Sequence, residues 1–273
     1  IHFYRNYVHG STYTLVPVQY DLCEDMQGSY IGENYITGVN RFAIALAKCR
    51  DVHIVNNRCL QDPTQTAGNI GGMIHVEDQS ELIRIHGNYI EAEGKGHGIE
   101  SVTNVRALEI SNNVIKSPNA IGISVTSGTP PTAAPGWTRL IASSAEVEDV
   151  DIHHNKIYDA GTFGVWVQMN NNQNVEGVSI HHNTVQTSGG TAINIVGADT
   201  SNRIELVHIH NNRIRGTITG EGIQTVWTDF AEIHDNYVEG TTSNGINLNS
   251  AHTSRVSRNY LRNITGVGVL EDG

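Results

Sequence analysis

The chain has 273 residues, of which 38% are hydrophobic and 16% charged, and a formal net charge of −11. That acidity works against nucleic acid or an anionic membrane as a partner, and mildly against an unassisted polyanionic substrate. No stretch approaches the roughly 18–20 apolar residues of a membrane span, and the opening "IHFYRNYVHG" does not read as a signal peptide.

In chain order, one pattern recurs: aliphatic, any residue, aliphatic, two polar residues, Asn, any residue, aliphatic. It appears loosely as "IHFYRNYV" and "IGENYI", then as "VHIVNNRC", "IRIHGNYI", "LEISNNVI", "VDIHHNKI", "VSIHHNTV", "VHIHNNRI" and "AEIHDNYV", and loosely again as "RVSRNYL". Its asparagines are Asn6, Asn34, Asn57, Asn88, Asn113, Asn155, Asn183, Asn212, Asn236 and Asn259, separated by 28, 23, 31, 25, 42, 28, 29, 24 and 23 residues. The minimum unit is therefore 23 residues, and the excess is insertion. A second signal follows in step, a small residue and then an apolar alternation: "AIAL", "GIESV", "GISV", "GVWV", "AINI", "GIQTV" and "GINL".

Period-two alternation without a helical stripe predicts three short strands per unit, each paired in parallel with its copy about 4.8 Å away in the next coil. The expectation is an all-β solenoid of about nine coils and three parallel sheets. At the corner between the second and third strands, the asparagine is expected to adopt left-handed backbone geometry and to bond its amide to the same amide one coil on. On these residues the chain resembles the right-handed parallel β-helix, or pectate-lyase-like, superfamily over essentially its whole length. Lyases, hydrolases, epimerases, tailspikes and adhesins share that fold, so the resemblance implies architecture more than chemistry. Cys59 stands where the repeat has isoleucine and reads as core. With Cys23 and Cys49 it forms neither a disulfide framework nor a zinc site.

Enzymes of that superfamily place their cleft along the first sheet. The outward row there is Ala45, His75, Glu100, Ser124, Trp166, Asn194, Gln224 and Asn247. Two long connections, "LQDPTQTAGNIGG" and "TSGTPPTAAPGWTRLIASSAEVED", border it. Between them lies the densest ionisable cluster, His75, Glu77 and Asp78 on one coil and Lys95, His97 and Glu100 on the next. Glu77 and Glu100 suit the acid and the base or nucleophile of a glycoside hydrolase, while His75, His97 or Lys95 suits the base of a lyase. Substrate contacts are expected from Lys95, Ser124, Trp137, Arg139, Trp166, Asn194, Gln224 and Asn247, with indoles stacking on sugar rings and amides bonding hydroxyls. This amide-rich row suits a neutral or mixed polysaccharide better than pectate.

Gly96-His97-Gly98 resembles the Gly-His-Gly motif of polygalacturonases. That family's aspartate pair would fall at Gly71-Gly72 and its Arg-x-Lys near Gly122 and Ser124, so its catalytic residues are absent. The mannuronan-epimerase motif and the aspartate cluster of calcium pectate lyases are missing too. No cofactor is firmly implied; Glu91 and Glu93 in "EAEG" offer calcium only part of its oxygen shell, as an assistant to a lyase.

The paired histidines, His153-His154 and His181-His182, fall on the second sheet with His86, His210 and His234. They read as a solvated repeat surface. Neighbouring residues there face opposite ways or turn the corner, so a pair is not expected to chelate one metal, and no metal site is assigned. Residue 1 lies in a second-sheet strand and residue 273 follows a first-sheet strand. This predicts one β-helical domain, the core of a longer protein with its caps elsewhere.

The functional expectation is a carbohydrate-active protein, extracellular or on a virion surface, that binds and cleaves a polysaccharide as hydrolase or lyase. A non-catalytic tailspike or adhesin module, homotrimeric in the tailspike manner, is the alternative; a purely structural solenoid is the second.

Overall fold

The computed structural model describes residues 1–9, 18–21, 28–39, 42–62, 71–77, 80–93, 96–117, 120–127, 146–170 and 174–272. Among them there is no helix, and the strands form three ten-stranded sheets. Every pairing is to the strand three places on in the chain, and it is parallel throughout. One rung, for example, is Glu81–His86 in the second sheet, Tyr89–Glu91 in the third and His97–Val102 in the first. The ten asparagines mark ten strands per sheet, and nine intervals separate them.

Alternation decides what each strand buries. Inward positions of the second sheet carry Ile31, Ile54, Ile85, Ile110, Ile152, Ile180, Ile209 and Ile233, all without solvent exposure. The third sheet contributes Ile36, Cys59, Ile90, Ile115 and Ile157, and the first Ile44, Ile74, Ile99, Ile123 and Val165. Each such side chain contributes roughly 1.5–3 kcal/mol of burial. Similar aliphatic residues stacked at strand spacing fill the bore among the described residues. Cys59 sits between Ile36 and Ile90 in register, and burial pushes its thiol up to about 12, as a core residue.

The asparagine ladder is continuous. The Asn6 amide donates to Asn34 Oδ1 at 3.0 Å, Asn34 to Asn57 at 2.9 Å, and so on through Asn236 to Asn259 at 3.0 Å. Each carboxamide oxygen also accepts the backbone N–H of the preceding ladder asparagine, as Asn155 Oδ1 does from Asn113 N. The amide nitrogen has a second acceptor in a backbone carbonyl of the preceding rung, as in Asn155 Nδ2 to Ile110 O at 2.8 Å.

The left-handed backbone lies one residue earlier than the sequence reading places it. Arg5, Glu33, Asn56, Asn112, His154, His182, Asn211, Asp235 and Arg258 have φ between 53° and 56°, with Gly87 at 67°; the ladder asparagines do not. The reason is geometric. The turn is made by the residue before the ladder, whose side chain swings outward, and this frees the asparagine to point inward.

Candidate functional site

The outward row of the first sheet is in register rung by rung: Ala45 opposite His75, then Glu100, Ser124, Trp166, Asn194, Gln224 and Asn247. It is more enclosed than an open groove surface. His75 is 6% exposed, Ser124 1%, Asn194 6% and Asn247 8%, while Glu100, Trp166 and Gln224 are partly exposed. Neighbours at strand spacing above and below shield the short side chains. Asp78, Lys95, Trp137 and Arg139, also expected near the row, lie outside the described residues.

One end of the row is ionic. His75 Nδ1 lies 2.8 Å from Glu100 Oε2, and its Nε2 lies 2.9 Å from Glu77 Oε2. Glu100 Oε2 also accepts the Gly72 N–H at 3.0 Å, and the Phe42 ring stacks on the imidazole at 4.3 Å between centroids. Gly71 and Gly72 make this possible. A Cβ on Gly71 would enter the Phe42 ring, and one on Gly72 would strike the Glu100 backbone and Cβ. The two glycines that stand in place of the polygalacturonase aspartates thus make room for this cluster.

Burial opposes a charge on His75, but its hydrogen bonds to Glu100 and Glu77 outweigh that and push it up to about 9. Burial likewise raises Glu100, yet the His75 bond and charge, with the Gly72 N–H, leave it below the usual carboxylate range. His97 is lowered, chiefly by burial. Its Nδ1 accepts the Ile121 N–H at 3.2 Å, so the neutral ring carries its proton on Nε2, 3.8 Å from Glu100 Oε1. The geometry does not favour His75 as a base, because both its nitrogens are committed to carboxylates. Glu77 and Glu100 do not face one another across a gap; the imidazolium stands between them.

The other end is made of amides. Asn194, Gln224 and Asn247 occupy three successive rungs beyond Trp166, whose ring stacks on Phe163 at 5.7 Å. The Oδ1 atoms of Asn194 and Asn247 are buried with no hydrogen-bond partner. A ladder carboxamide such as that of Asn155 is satisfied four ways, whereas among the described residues Asn194 and Asn247, with Asn104 away from the row, keep a buried oxygen without a partner. Trp227, which follows the first-sheet strand Ile223–Val226, has φ 49°.

Glu91 lies on the third sheet, hydrogen-bonded by the Tyr89 hydroxyl and paired with Lys116 Nζ at 3.1 Å. Its carboxylate is therefore engaged away from the row and does not fit a calcium shell there.

The second-sheet histidines form stacks. His153, His181, His210 and His234 lie ring on ring, with centroids 4.9, 4.9 and 5.1 Å apart, and His154 stacks on His182 at 4.9 Å. Lost hydration, together with repulsion between rings, lowers His154, His181 and His210. One expectation is corrected. The rings of a pair converge, with Nδ1 to Nδ1 at 2.9 Å in both His153-His154 and His181-His182. Left-handed geometry at His154 and His182 turns the second ring back toward the first.

A protein-family model described as a right handed beta helix region matches residues 140–272. With its three parallel sheets the chain has the fold of a parallel β-helix, the description that the matched residues carry. Among solved structures, this β-helix is similar to PfbA, a surface adhesin of Streptococcus pneumoniae, at 14% identity over 98% of this chain and 71% of that one, with a TM-score of 0.65. It is also similar to the catalytic domain of a GH87 alpha-1,3-glucanase solved with tetrasaccharides, at 12% identity and a TM-score of 0.55. That match covers 90% of this β-helix and 48% of the glucanase chain, so the β-helix spans about half of it. The A-module of the Azotobacter vinelandii mannuronan C-5 epimerase AlgE4 matches at 12% identity over 98% of this chain and 88% of that one, with a TM-score of 0.50. At such identities the likeness is one of fold. No curated protein matches the chain.

Proposed function

We propose that this β-helix is an extracellular carbohydrate-binding protein that holds a neutral or mixed polysaccharide along the first sheet. The observation that carries the reading is the pair of orphaned amide oxygens, Asn194 Oδ1 and Asn247 Oδ1. A buried acceptor without a partner costs about 1–3 kcal/mol, and turning the carboxamide toward the row, where a sugar hydroxyl donates to it, recovers that cost. Trp166, partly exposed one rung before Asn194, supplies a stacking face for a ring. Gln224 adds a donor and acceptor between the two asparagines. Two of the similar folds carry names that mention a glucanase or a mannuronan epimerase, which agrees with a polysaccharide as the ligand class.

Cleavage is the second reading, favoured by the cluster of shifted ionisable groups at the other end of the same row. It ranks below binding for a chemical reason. With His75 charged and Glu100 ionised near neutrality, neither supplies the protonated carboxyl that a hydrolase needs for its leaving group. Glu77, the more exposed carboxylate, is the group left to act as a base in an elimination.

A panel of neutral, mixed and acidic polysaccharides tested by calorimetry decides the first reading. Binding should weaken at least tenfold in Asn194→Leu and Asn247→Leu, and a panel without any saturable binding overturns it. Reducing ends or unsaturated uronates released by the chain, and abolished in Glu100→Gln, would instead establish turnover.

A further inference from the structure

Each paired-histidine rung presents two imidazole nitrogens to one point in space. In His153-His154 and His181-His182 the Nδ1 atoms are 2.9 Å apart in a hydrogen bond whose proton a bound ion would displace, and the ring planes are nearly perpendicular, at 85° and 86°. Two nitrogens bound to one ion at about 2.0–2.1 Å and at a right angle stand about 2.9 Å apart, whereas a tetrahedral angle spreads them to about 3.3 Å. The spacing therefore fits adjacent positions on a square-planar or octahedral ion.

The far edge of the first ring in each pair supports the same arrangement. His181 Nε2 lies 3.0 Å from Asp151 Oδ1, and His153 Nε2 lies 3.5 Å from Glu109 Oε1. The Asp151 contact is an ion-pair distance lying off the hydrogen-bonding direction, and Oδ1 is otherwise unpartnered. A carboxylate beside Nε2 favours the tautomer with its proton there, which leaves the Nδ1 lone pair for a metal. The rungs beyond provide the contrast. Asn211 Nδ2 lies 3.1 Å from His210 Nδ1, and His234 Nδ1 lies 2.8 Å from Asp235 Oδ2, so there a single imidazole meets an amide or a carboxylate in place of a second imidazole.

We propose that the His153-His154 and His181-His182 pairs each bind one Cu(II)- or Ni(II)-class ion through their two Nδ1 atoms. Among the described residues no three His, Cys, Asp or Glu side chains converge as a metal shell, so water completes the coordination and the sites are open. They lie on the second sheet, apart from the amide row, and do not depend on the carbohydrate reading.

The untagged chain is titrated with Cu(II) sulfate, and separately with Ni(II) sulfate, by calorimetry and, for copper, by electron paramagnetic resonance. The expected result is saturable binding of two ions per chain, with a copper spectrum showing two coordinated nitrogens. The double substitution His154→Asn, His182→Asn should weaken binding at least tenfold while the circular dichroism spectrum is unchanged. Asparagine already occupies the equivalent left-handed position at Asn112 and Asn211, so the variant is expected to fold. His252→Gln, at an exposed histidine outside the stacks, should bind as the parent does. Binding of equal strength in the double variant, a spectrum with oxygen ligands alone, or no saturable binding overturns the proposal.

Discussion

Histidine occurs in this β-helix in two opposed environments. His75, on the first sheet, is enclosed between two carboxylates and an aromatic ring, and its charge is favoured. His181, on the second, lies between like rings, and its charge is disfavoured despite Asp151. The difference follows from what each row repeats. A row that carries the same residue from rung to rung surrounds each member with copies of itself. A row that changes identity, as His75, Glu100, Ser124, Trp166 and Asn194 do, places unlike groups in contact. It creates specific pairs at one end and unsatisfied amides at the other.

The largest expected effect contrasts a repeated amide with an unrepeated one. Asn155→Ala should destabilise the chain by about 2–6 kcal/mol, since at least two buried groups, the Asn113 amide and the Ile110 carbonyl, lose partners at roughly 1–3 kcal/mol each. Urea denaturation reads this directly. Asn194→Leu should leave stability unchanged or slightly higher by the same measurement, because its oxygen bonds nothing within the protein.

The next effect concerns pH. His75 has a raised folded pKa, so its contribution is complete below about 6.5 and is lost as pH rises through about 9. Stability should fall by up to about 3 kcal/mol across that window, and His75→Gln should abolish this alkaline limb. The stacked histidines act with the opposite sign. The folded pKa values of His154, His181 and His210 lie below the unfolded ones, so the unfolded chain binds more protons and stability falls as pH drops below about 6.5. Melting temperatures should therefore peak near mildly acidic or neutral pH, and a profile still rising at pH 9 would contradict the assignment at His75. The smallest effect is expected from His182→Asn. It should stay within about 0.5 kcal/mol at neutral pH and soften only the acid limb, by removing a ring that repels charge on His154, His181 and His210, measured as melting temperature at pH 5 against pH 7.

Register was the legible part of the sequence. The period of the asparagines places Ala45, His75, Glu100, Ser124, Trp166, Asn194, Gln224 and Asn247 in one row, and the strands pair in that order. Contacts perpendicular to the period were not legible. Nothing in the alternation says that Phe42 covers His75 or that Glu77 and Glu100 grip opposite sides of one ring. Gly71-Gly72 was the available signal, since adjacent glycines opening a strand announce close approach by something else. The convergence of His153 with His154 was hidden for another reason. Period-two reasoning assumes extended backbone, and the left-handed residue before each ladder asparagine departs from it.

That same left-handed column has an evolutionary consequence. Its ten positions hold Arg, Glu, Asn, Gly, Asn, His, His, Asn, Asp and Arg from Arg5 to Arg258, a mixture no inward position shows. Each points away from the bore and is bracketed by an asparagine that keeps the coil in frame whatever stands beside it. The corner therefore behaves as a line of type, ten characters that can be reset while the page holds its shape, each answering only to its neighbours in the line, as Arg5 does to Glu33 and Arg258 to Asp235.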